Sequence, residues 1–261
     1  MMNQTGFKVC KSNYFIWPVA FLSVIIAAII WYSISIPDRV VFPNSESYVY
    51  DYYTDAPNGG NSQILEHSES DSLLLFRFQL KEGFYSPYVG LSITPKNEII
   101  DAQKYNEISF TIAGKHIERV GISFFTPPLR YSGNFNQDDT PNHAYLNISD
   151  HKKTYNIPIE EFQPPEWWED IHNIPQLNAM SPPLDSILHI NIGTAFSPNI
   201  EQSKTIEVYS IRFTRNNQKL ITITGLIYII SILLIFGLNY FFISTKNRKT
   251  SITVSYKPVE M

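Results

Sequence analysis

Two long apolar stretches flank a central region of short alternating segments. Residues 14–36 and 220–244 contain no charged side chain, and each stretch is longer than the roughly 20 residues that a helix needs to cross a bilayer. Both carry aromatic residues near their ends, as helices do where a membrane meets water. The pattern predicts two transmembrane helices with one large domain between them.

The first apolar stretch differs from a cleaved signal peptide. It is longer than the roughly 7 to 15 apolar residues of such a peptide, and no A-x-A cleavage site follows it. We therefore expect an uncleaved signal anchor. Long loops cross the membrane largely regardless of their charge. We expect cytoplasmic tails at 1–13 and 245–261, with the central domain on the outer side of a bacterial inner membrane. The alternative is a pair of buried helices in a soluble core.

The central region shows the period of β-strands. In the segment SLLLFRFQL, residues 72–80, apolar side chains alternate with polar ones, as in a half-buried strand. Seven more such segments follow between turn residues: YVGLSITP, EISFTIAG, VGISFFTP, AYLNIS, KTYNIP, SILHINIG and TIEVYSIRF. Helical patterns are lacking between them, which argues against an α/β fold. We predict a mainly β domain at 72–216, an antiparallel β-sandwich of the jelly-roll type, after an irregular lead-in at 37–71.

Composition excludes several classes of function. The formal net charge is −4, whereas nucleic-acid-binding domains usually carry a clear basic patch. The single cysteine, Cys10, excludes an internal disulfide framework and a cysteine-rich zinc site. No G-x-S-x-G elbow, H-E-x-x-H motif or phosphate-binding glycine loop is present. We expect neither an enzyme nor a cofactor.

Acidic residues offer one candidate metal site. Asp138 and Asp139 lie in the polar segment NQDDTPNH, and calcium takes oxygen ligands from such loops. A real site needs about six ligands or more, and no EF-hand pattern is present. A solvated acidic loop is the simpler interpretation, so a structural calcium ion has no independent support.

Aromatic residues are the candidates for ligand binding. The chain is 14% aromatic, and flat rings can stack against the faces of sugar rings as well as fill a core. We select Trp167, Trp168 and Tyr131, with Glu166 as a neighbouring acid. In an extended segment two adjacent side chains point in opposite directions. We therefore expect one tryptophan in the core and one on the surface.

Three phrases of the sequence resemble a known family. They are D-x-x-K-Y-x-x-I at 101–108, I-P-x-x-x-F-x-x-P-x-W-W at 157–168, and a closing apolar strand at 206–213. Together they resemble the extracytoplasmic sensor region of membrane-anchored bacterial regulators of the AraC type. That region is similar to a galactose-binding-type jelly roll related to family 11 carbohydrate-binding modules. The likeness spans most of residues 72–261, and the Trp-Trp phrase is its most specific part.

The resemblance implies a sensor that binds a carbohydrate-like ligand outside the cell and relays binding through the second helix. In the family a DNA-binding half follows, whereas here about 17 residues follow the second apolar stretch. We expect no DNA binding by this chain itself, and either a truncated regulator or a separate cytoplasmic partner. Two other hypotheses stay open: a structural or interaction module that binds an envelope protein or forms a homodimer, and a glycan hydrolase.

Overall fold

The computed structural model describes residues 16–34, 36–128, 130–131, 134–135, 139–172, 184–195 and 199–253. The chain divides into two compact units. One consists of Met1–Ile36 together with Asn217–Met261, and the other is the central domain, Pro37–Asn216.

The first unit contains two helices, α1 (Ile16–Ile34) and α3 (Gln218–Thr253). The hydroxyl groups of Ser23 and Tyr228 form a hydrogen bond of 2.8 Å between them. Among the described residues, one helical segment is long and apolar enough to cross a membrane, Gln218–Leu238, and the apolar part of α1 is the shorter Pro18–Tyr32. The prediction of two transmembrane helices is therefore not confirmed, because one candidate span is found.

The central domain is built from two antiparallel sheets. The first sheet has the order β11-β6-β13-β4-β3, with β1 also paired to β13, and the second has the order β10-β7-β12-β5-β2. The strands of the first sheet are β1 (Arg39–Phe42), β3 (Gln63–Ser70), β4 (Leu73–Gln79), β6 (Glu107–Lys115), β11 (Lys153–Pro158) and β13 (Ser203–Thr214). Those of the second are β2 (Tyr48–Thr54), β5 (Val89–Pro95), β7 (Arg119–Thr126), β10 (Thr140–Asn147) and β12 (His189–Thr194). A two-residue hairpin pairs β8 (Arg130–Tyr131) with β9 (Asn134–Phe135), and one short helix, α2, covers Glu166–His172.

The two sheets bury one apolar core between them. On β4 the side chains of Leu74, Phe76 and Phe78 are fully buried, because strand geometry sends alternate residues to the same face. Rings from the two sheets meet across the core: the centroid of Phe124 on β7 lies 5.7 Å from that of Phe213 on β13. Full burial of such a side chain contributes about 1.5–3 kcal/mol to the stability of the folded domain. Burial of these side chains therefore determines which face of each strand points inward.

The predicted mainly β fold is confirmed. All eight predicted strands are present, and the chain passes repeatedly between the two sheets as in a jelly roll. The irregular lead-in predicted at 37–71 is wrong, since β1, β2 and β3 lie there. The segment YVYDYYT of β2 alternates in burial, with Tyr48 and Tyr50 in the core. In this strand tyrosines occupy the inward-facing positions that apolar residues usually fill. The alternation was not recognised in the sequence because polar clusters surround the strand.

The pairing of β1 with β13 brings together the two places where the chain enters and leaves the domain. Arg39 pairs with Phe213, and Phe42 pairs with Ile211. We call this the near end of the sandwich. The opposite, far end holds the turn between β6 and β7 and the start of β13.

Candidate ligand-binding face

The second sheet has an outer face that is unusually rich in polar side chains and glycines. Its inner face packs on the core through residues such as Leu91, Ile93 and Ile122, which are fully buried. Residues between these inner positions point to the other side, because side chains alternate along a strand. The strand register arranges them in rows that cross the sheet from β2 to β10.

One row is polar along its whole length. Successive register pairs join Asp51 to Ser92, Ser92 to Asn191, Asn191 to Ser123 and Ser123 to His143. We call these five residues the polar row. It extends one position further, because the backbone groups of Gln163 and His143 exchange hydrogen bonds of 2.8 and 3.3 Å at the free edge of β10.

The neighbouring row towards the far end contains three glycines in register. Gly90 pairs with Gly193, Gly193 pairs with Gly121, and the row is completed by Tyr53 and Tyr145. We call these five residues the glycine row. Three adjacent glycines in the middle of a sheet weaken the strands, and glycine inside a strand often marks a close approach of another group.

The glycines make room for two rings that lie against the backbone. A Cβ atom on Gly90 would come within 2.4 Å of the Tyr53 ring, and one on Gly121 would come within 2.6 Å of the His143 ring. The hydroxyl of Tyr53 reaches over Gly193 as well. The sheet therefore carries a shallow surface of two rings. Tyr145 stands at the margin of this surface and is 62% exposed, so its ring is free to contact a ligand.

Aromatic neighbours hold the Tyr53 ring from one side. The ring centroid of Tyr88 lies 6.1 Å from that of Tyr53, and Phe84 packs edge-on against Tyr88 at 5.8 Å. Asn58 donates a hydrogen bond of 2.7 Å to the Tyr88 hydroxyl. Burial raises the pKa of Tyr53 above its ordinary value. Its phenol is therefore neutral over the physiological range, and it can both donate and accept a hydrogen bond.

The polar row has a buried acceptor at its centre. Asn191 Oδ1 is buried and has no hydrogen-bond partner among the described residues. An unpaired buried carbonyl destabilises the free protein by about 1–3 kcal/mol. Because this atom is shielded from solvent, a ligand on the outer face does not reach it, and the penalty is a cost of the fold.

His143 links the two rows. Its Nδ1 lies 2.8 Å from the hydroxyl of Ser123 in the polar row, and its ring meets the edge of the Tyr145 ring at 4.5 Å. Burial lowers the pKa of His143 below its ordinary value of 6.5. The neutral imidazole is thus the form that the folded protein prefers.

A third ring pair lies on the outer face towards the near end. His189 on β12 stacks on Phe125 of β7, with centroids 4.3 Å apart. Burial lowers the pKa of His189, and the carboxylate of Asp139 opposes this effect. Asp139 therefore lies near His189. Asp138, the other candidate calcium ligand, lies outside the described residues. Within the described part of the chain, no group of three or more histidine, cysteine or acidic side chains could hold a metal ion, and the calcium site stays a prediction.

The two predicted tryptophans lie in α2. Trp168 is 3% exposed and Trp167 is 57% exposed, so the expected division between core and surface is confirmed. The two tryptophans do not lie in an extended segment, since a short helix begins at Glu166, directly after two prolines. Residues one step apart on a helix are about 100° apart, which also separates adjacent side chains.

The other predicted site residues fall outside the two rows. Glu166 is exposed on α2. Tyr131 belongs to the β8–β9 hairpin, and its side chain lies outside what the structure describes. Among the described residues, no hydrogen bond or ring contact joins Trp167 or Glu166 to the polar row.

The sequence carried a signal for the outer face that the strand patterns alone did not reveal. Three of the predicted strands contain a glycine two positions from a serine or asparagine: GLS at 90–92, GIS at 121–123 and NIG at 191–193. Glycine in a strand interior weakens it unless something occupies the free space. Three such cases in one domain indicate a shared surface.

The two buried histidines make stability depend on pH. A base whose pKa is lowered in the folded state binds fewer protons there than in the unfolded chain, so stability is lost as pH falls below the unfolded value of 6.5. We expect the melting temperature, followed by circular dichroism, to fall between pH 7 and pH 5. His143→Gln should reduce that dependence, because glutamine keeps a partner for Ser123 without titrating. An unchanged dependence in His143→Gln would contradict this assignment.

Solved structures similar to this chain include carbohydrate-binding modules. The family 11 module of the cellulosomal cellulase Lic26A-Cel5E of Clostridium thermocellum is 15% identical, with a TM-score of 0.47, over 70% of this chain and 96% of the module. A family 11 module from Clostridium thermocellum in complex with a β-1,3-1,4-mixed-linked tetrasaccharide is 14% identical, with a TM-score of 0.43, over 69% of this chain and 97% of the module.

A family 30 carbohydrate-binding module is 15% identical, with a TM-score of 0.44, over 69% of this chain and all of the module, at 100%. A scan against models of protein families and a search of curated proteins find no match. At these identities and TM-scores the likeness carries no argument, and the β-sandwich is shown by the strands and pairings of this chain itself.

Proposed function

We propose that the central domain binds an extended saccharide chain on the outer face of the second sheet. The observation that carries this proposal is the glycine row beside the polar row, in which the rings of Tyr53 and His143 lie against glycine backbone. Sugar rings have apolar faces that pack on aromatic rings, and their hydroxyl groups need hydrogen-bond partners at the rim. The two rows supply both kinds of contact side by side.

The direction of the saccharide follows from the spacing of the strands. Neighbouring strands lie about 4.8 Å apart, which is similar to the length of one sugar unit in an extended chain. From Asp51 to Gln163 the polar row crosses six backbone positions, or about 24 Å. A chain of several sugar units that crosses the strands would meet one polar side chain at each step.

Binding without hydrolysis fits the distribution of carboxylates. A glycosidase needs two carboxyl groups on opposite sides of the bond that it breaks, about 5–10 Å apart. In the polar and glycine rows, all of whose residues are described, Asp51 is the one acid. We therefore propose a binding module and no catalytic step.

Tyr145→Ala tests the site. Because Tyr145 is largely exposed, its loss should leave folding intact but weaken saccharide binding at least tenfold, or about 1.4 kcal/mol. The measurement is isothermal calorimetry of the full chain in detergent against linear oligosaccharides, a mixed-linked β-glucan tetrasaccharide among them. Tyr85→Ala is the matched control, since Tyr85 is a fully exposed loop tyrosine that belongs to neither row. No binding to any member of the panel by the unmodified protein would contradict the proposal.

A sensor role in the manner of AraC-type regulators is the finer form of the same proposal. What supports it is the connection along the chain: β13 ends at Thr214 and α3 begins at Gln218. A short linker transmits a displacement that a long flexible one would absorb. Hydrogen exchange in α3 during the same titration tests this role. If the protection of α3 does not change when a saccharide binds, α3 is a plain tether and the sensor role is overturned. The location in a bacterial inner membrane and a cytoplasmic partner belong to the same proposal.

The interaction-module hypothesis predicts a different outcome of the same work. If the outer face binds an envelope protein or a second copy of the chain, none of the oligosaccharides should bind. Crosslinking of the intact protein would then recover the partner, and the Tyr145→Ala variant would lose it.

A further inference from the structure

Arg119 stands where the outer face meets a cavity at the far end of the sandwich. It pairs with Asn147 in the row beyond the glycine row. Both residues also line a cavity of about 720 Å³, together with His116, Glu118 and Ser149. A saccharide that extends along the glycine row towards this end would reach Arg119 first.

The guanidinium of Arg119 is held in place by neutral neighbours. Its Nε donates a hydrogen bond of 2.9 Å to Asn147 Oδ1, and its central carbon lies 5.6 Å from the centroid of the exposed Tyr145 ring. These contacts fix the plane of the group while using one of its five N–H donors. The paired terminal nitrogens stay available, and this fork matches the two oxygens of a carboxylate.

Arg119 has no acidic partner among the described residues, in contrast to two other cations on the strands. Arg77 lies 3.0 Å from Glu66, and Lys115 lies 3.9 Å from Glu207. In the described part of the chain, no carboxylate oxygen lies within 4.0 Å of an Arg119 nitrogen, although Glu118 lines the same cavity. A guanidinium that is held in place without a carboxylate can receive the anionic group of a ligand.

A second cation lies behind the wall of the cavity. Lys204 is fully buried, and its ammonium donates a hydrogen bond of 3.2 Å to the carbonyl of His116. That carbonyl belongs to a residue in the left-handed region, with φ of 59°. Burial lowers the pKa of the Lys204 ammonium below its ordinary value. Glu118 and Asp150, also on the wall, disfavour a second anionic group deeper in the cavity.

We propose that Arg119 binds the carboxylate of a uronic acid unit, so that the outer face selects acidic saccharides over neutral ones. This inference rests on the proposed saccharide binding and names its ligand class. The sugar ring would pack beside Tyr145, and the C6 carboxylate would take the two terminal nitrogens of Arg119. A neutral hydroxymethyl group at the same position would form at most one weaker hydrogen bond with Arg119.

The test compares one saccharide backbone with and without charge. A linear tetrasaccharide of glucose and its counterpart oxidised at C6 to glucuronic acid are titrated into the full chain in detergent, at low and high salt. We expect the acidic chain to bind at least tenfold more tightly at low salt, with the ratio falling as salt rises. Arg119→Gln should bring the ratio to about one, whereas the control Arg77→Gln should keep it. Arg119→Lys should give an intermediate ratio, since lysine keeps the charge without the fork.

The outcomes separate this inference from the function on which it rests. Equal affinity for both chains in the unmodified protein, or an unchanged ratio in Arg119→Gln, overturns the role of Arg119 and leaves saccharide binding in place. Failure of both chains to bind overturns both proposals. Circular dichroism of each variant shows that the fold is retained, which is expected because Arg119 is exposed.

Discussion

Asp55→Ala should lower the free energy of unfolding by about 3 kcal/mol. The carboxylate of Asp55 is fully buried and accepts three hydrogen bonds, from Ser62 N at 2.9 Å, Ser62 Oγ at 2.7 Å and Tyr88 N at 3.3 Å. Alanine would leave the two buried donors of Ser62 and the half-buried N–H of Tyr88 without this acceptor. For a domain of this size the loss corresponds to about 6–12 °C in melting temperature, measured by circular dichroism of the full chain.

Two further variants sharpen the Asp55 prediction. Gly60→Ala should destabilise the same loop, since its Cβ would come within 2.1 Å of the Asp55 side chain. Asp71→Ala is the control, because Asp71 is exposed in the turn after β3, and surface changes usually stay within about 0.5 kcal/mol. Equal melting temperatures for Asp55→Ala and Asp71→Ala would show that the buried carboxylate contributes nothing to stability.

The adjacent tryptophans form a matched pair for a second large effect. Trp168→Ala should destabilise the protein by about 3–5 kcal/mol, because it removes a buried ring and leaves a cavity. Trp167→Ala should change stability by less than about 1 kcal/mol, since that ring is mostly exposed. Both variants lose one indole. A difference between their melting temperatures therefore reflects the different burial of the two rings and not the chemical change, which is the same in both.

The Trp167→Ala variant also separates two functional interpretations. If Trp167 is part of the saccharide site, its loss weakens binding as the loss of Tyr145 does. We expect no such effect, because the rows that form the site do not include α2. Equal stability losses in the two tryptophan variants would contradict the burial that the structure shows.

Short-range alternation in the sequence was sufficient to predict most of the fold. Period-two burial, as in Leu74, Phe76 and Phe78, follows from strand geometry and needs no knowledge of the partner strand. The lead-in escaped prediction because tyrosines occupy its inner positions and polar clusters surround them. The helix α2 escaped because its seven residues follow two prolines and are too few to show a helical period.

The outer face could not be predicted in the same way. Gly90, Gly121 and Gly193 lie far apart in the sequence, and only the register of β5, β12 and β7 brings them into one row. Register depends on which strands pair, a long-range property that strand patterns do not contain. The aromatic candidates chosen from the sequence, Trp167 and Tyr131, therefore missed the residues that the sheet brings together.

The pairing of β1 with β13 has a mechanical consequence. Because Arg39 lies opposite Phe213, a pull applied at Pro37 and Asn216 loads one end of an antiparallel ladder. Its hydrogen bonds then break one pair at a time, like a zipper, and the force needed is that of a single pair. Tension between the chain ends would peel β1 away first. The strands β5, β12 and β7 carry none of that load, so the outer face would keep its shape while the near end yields.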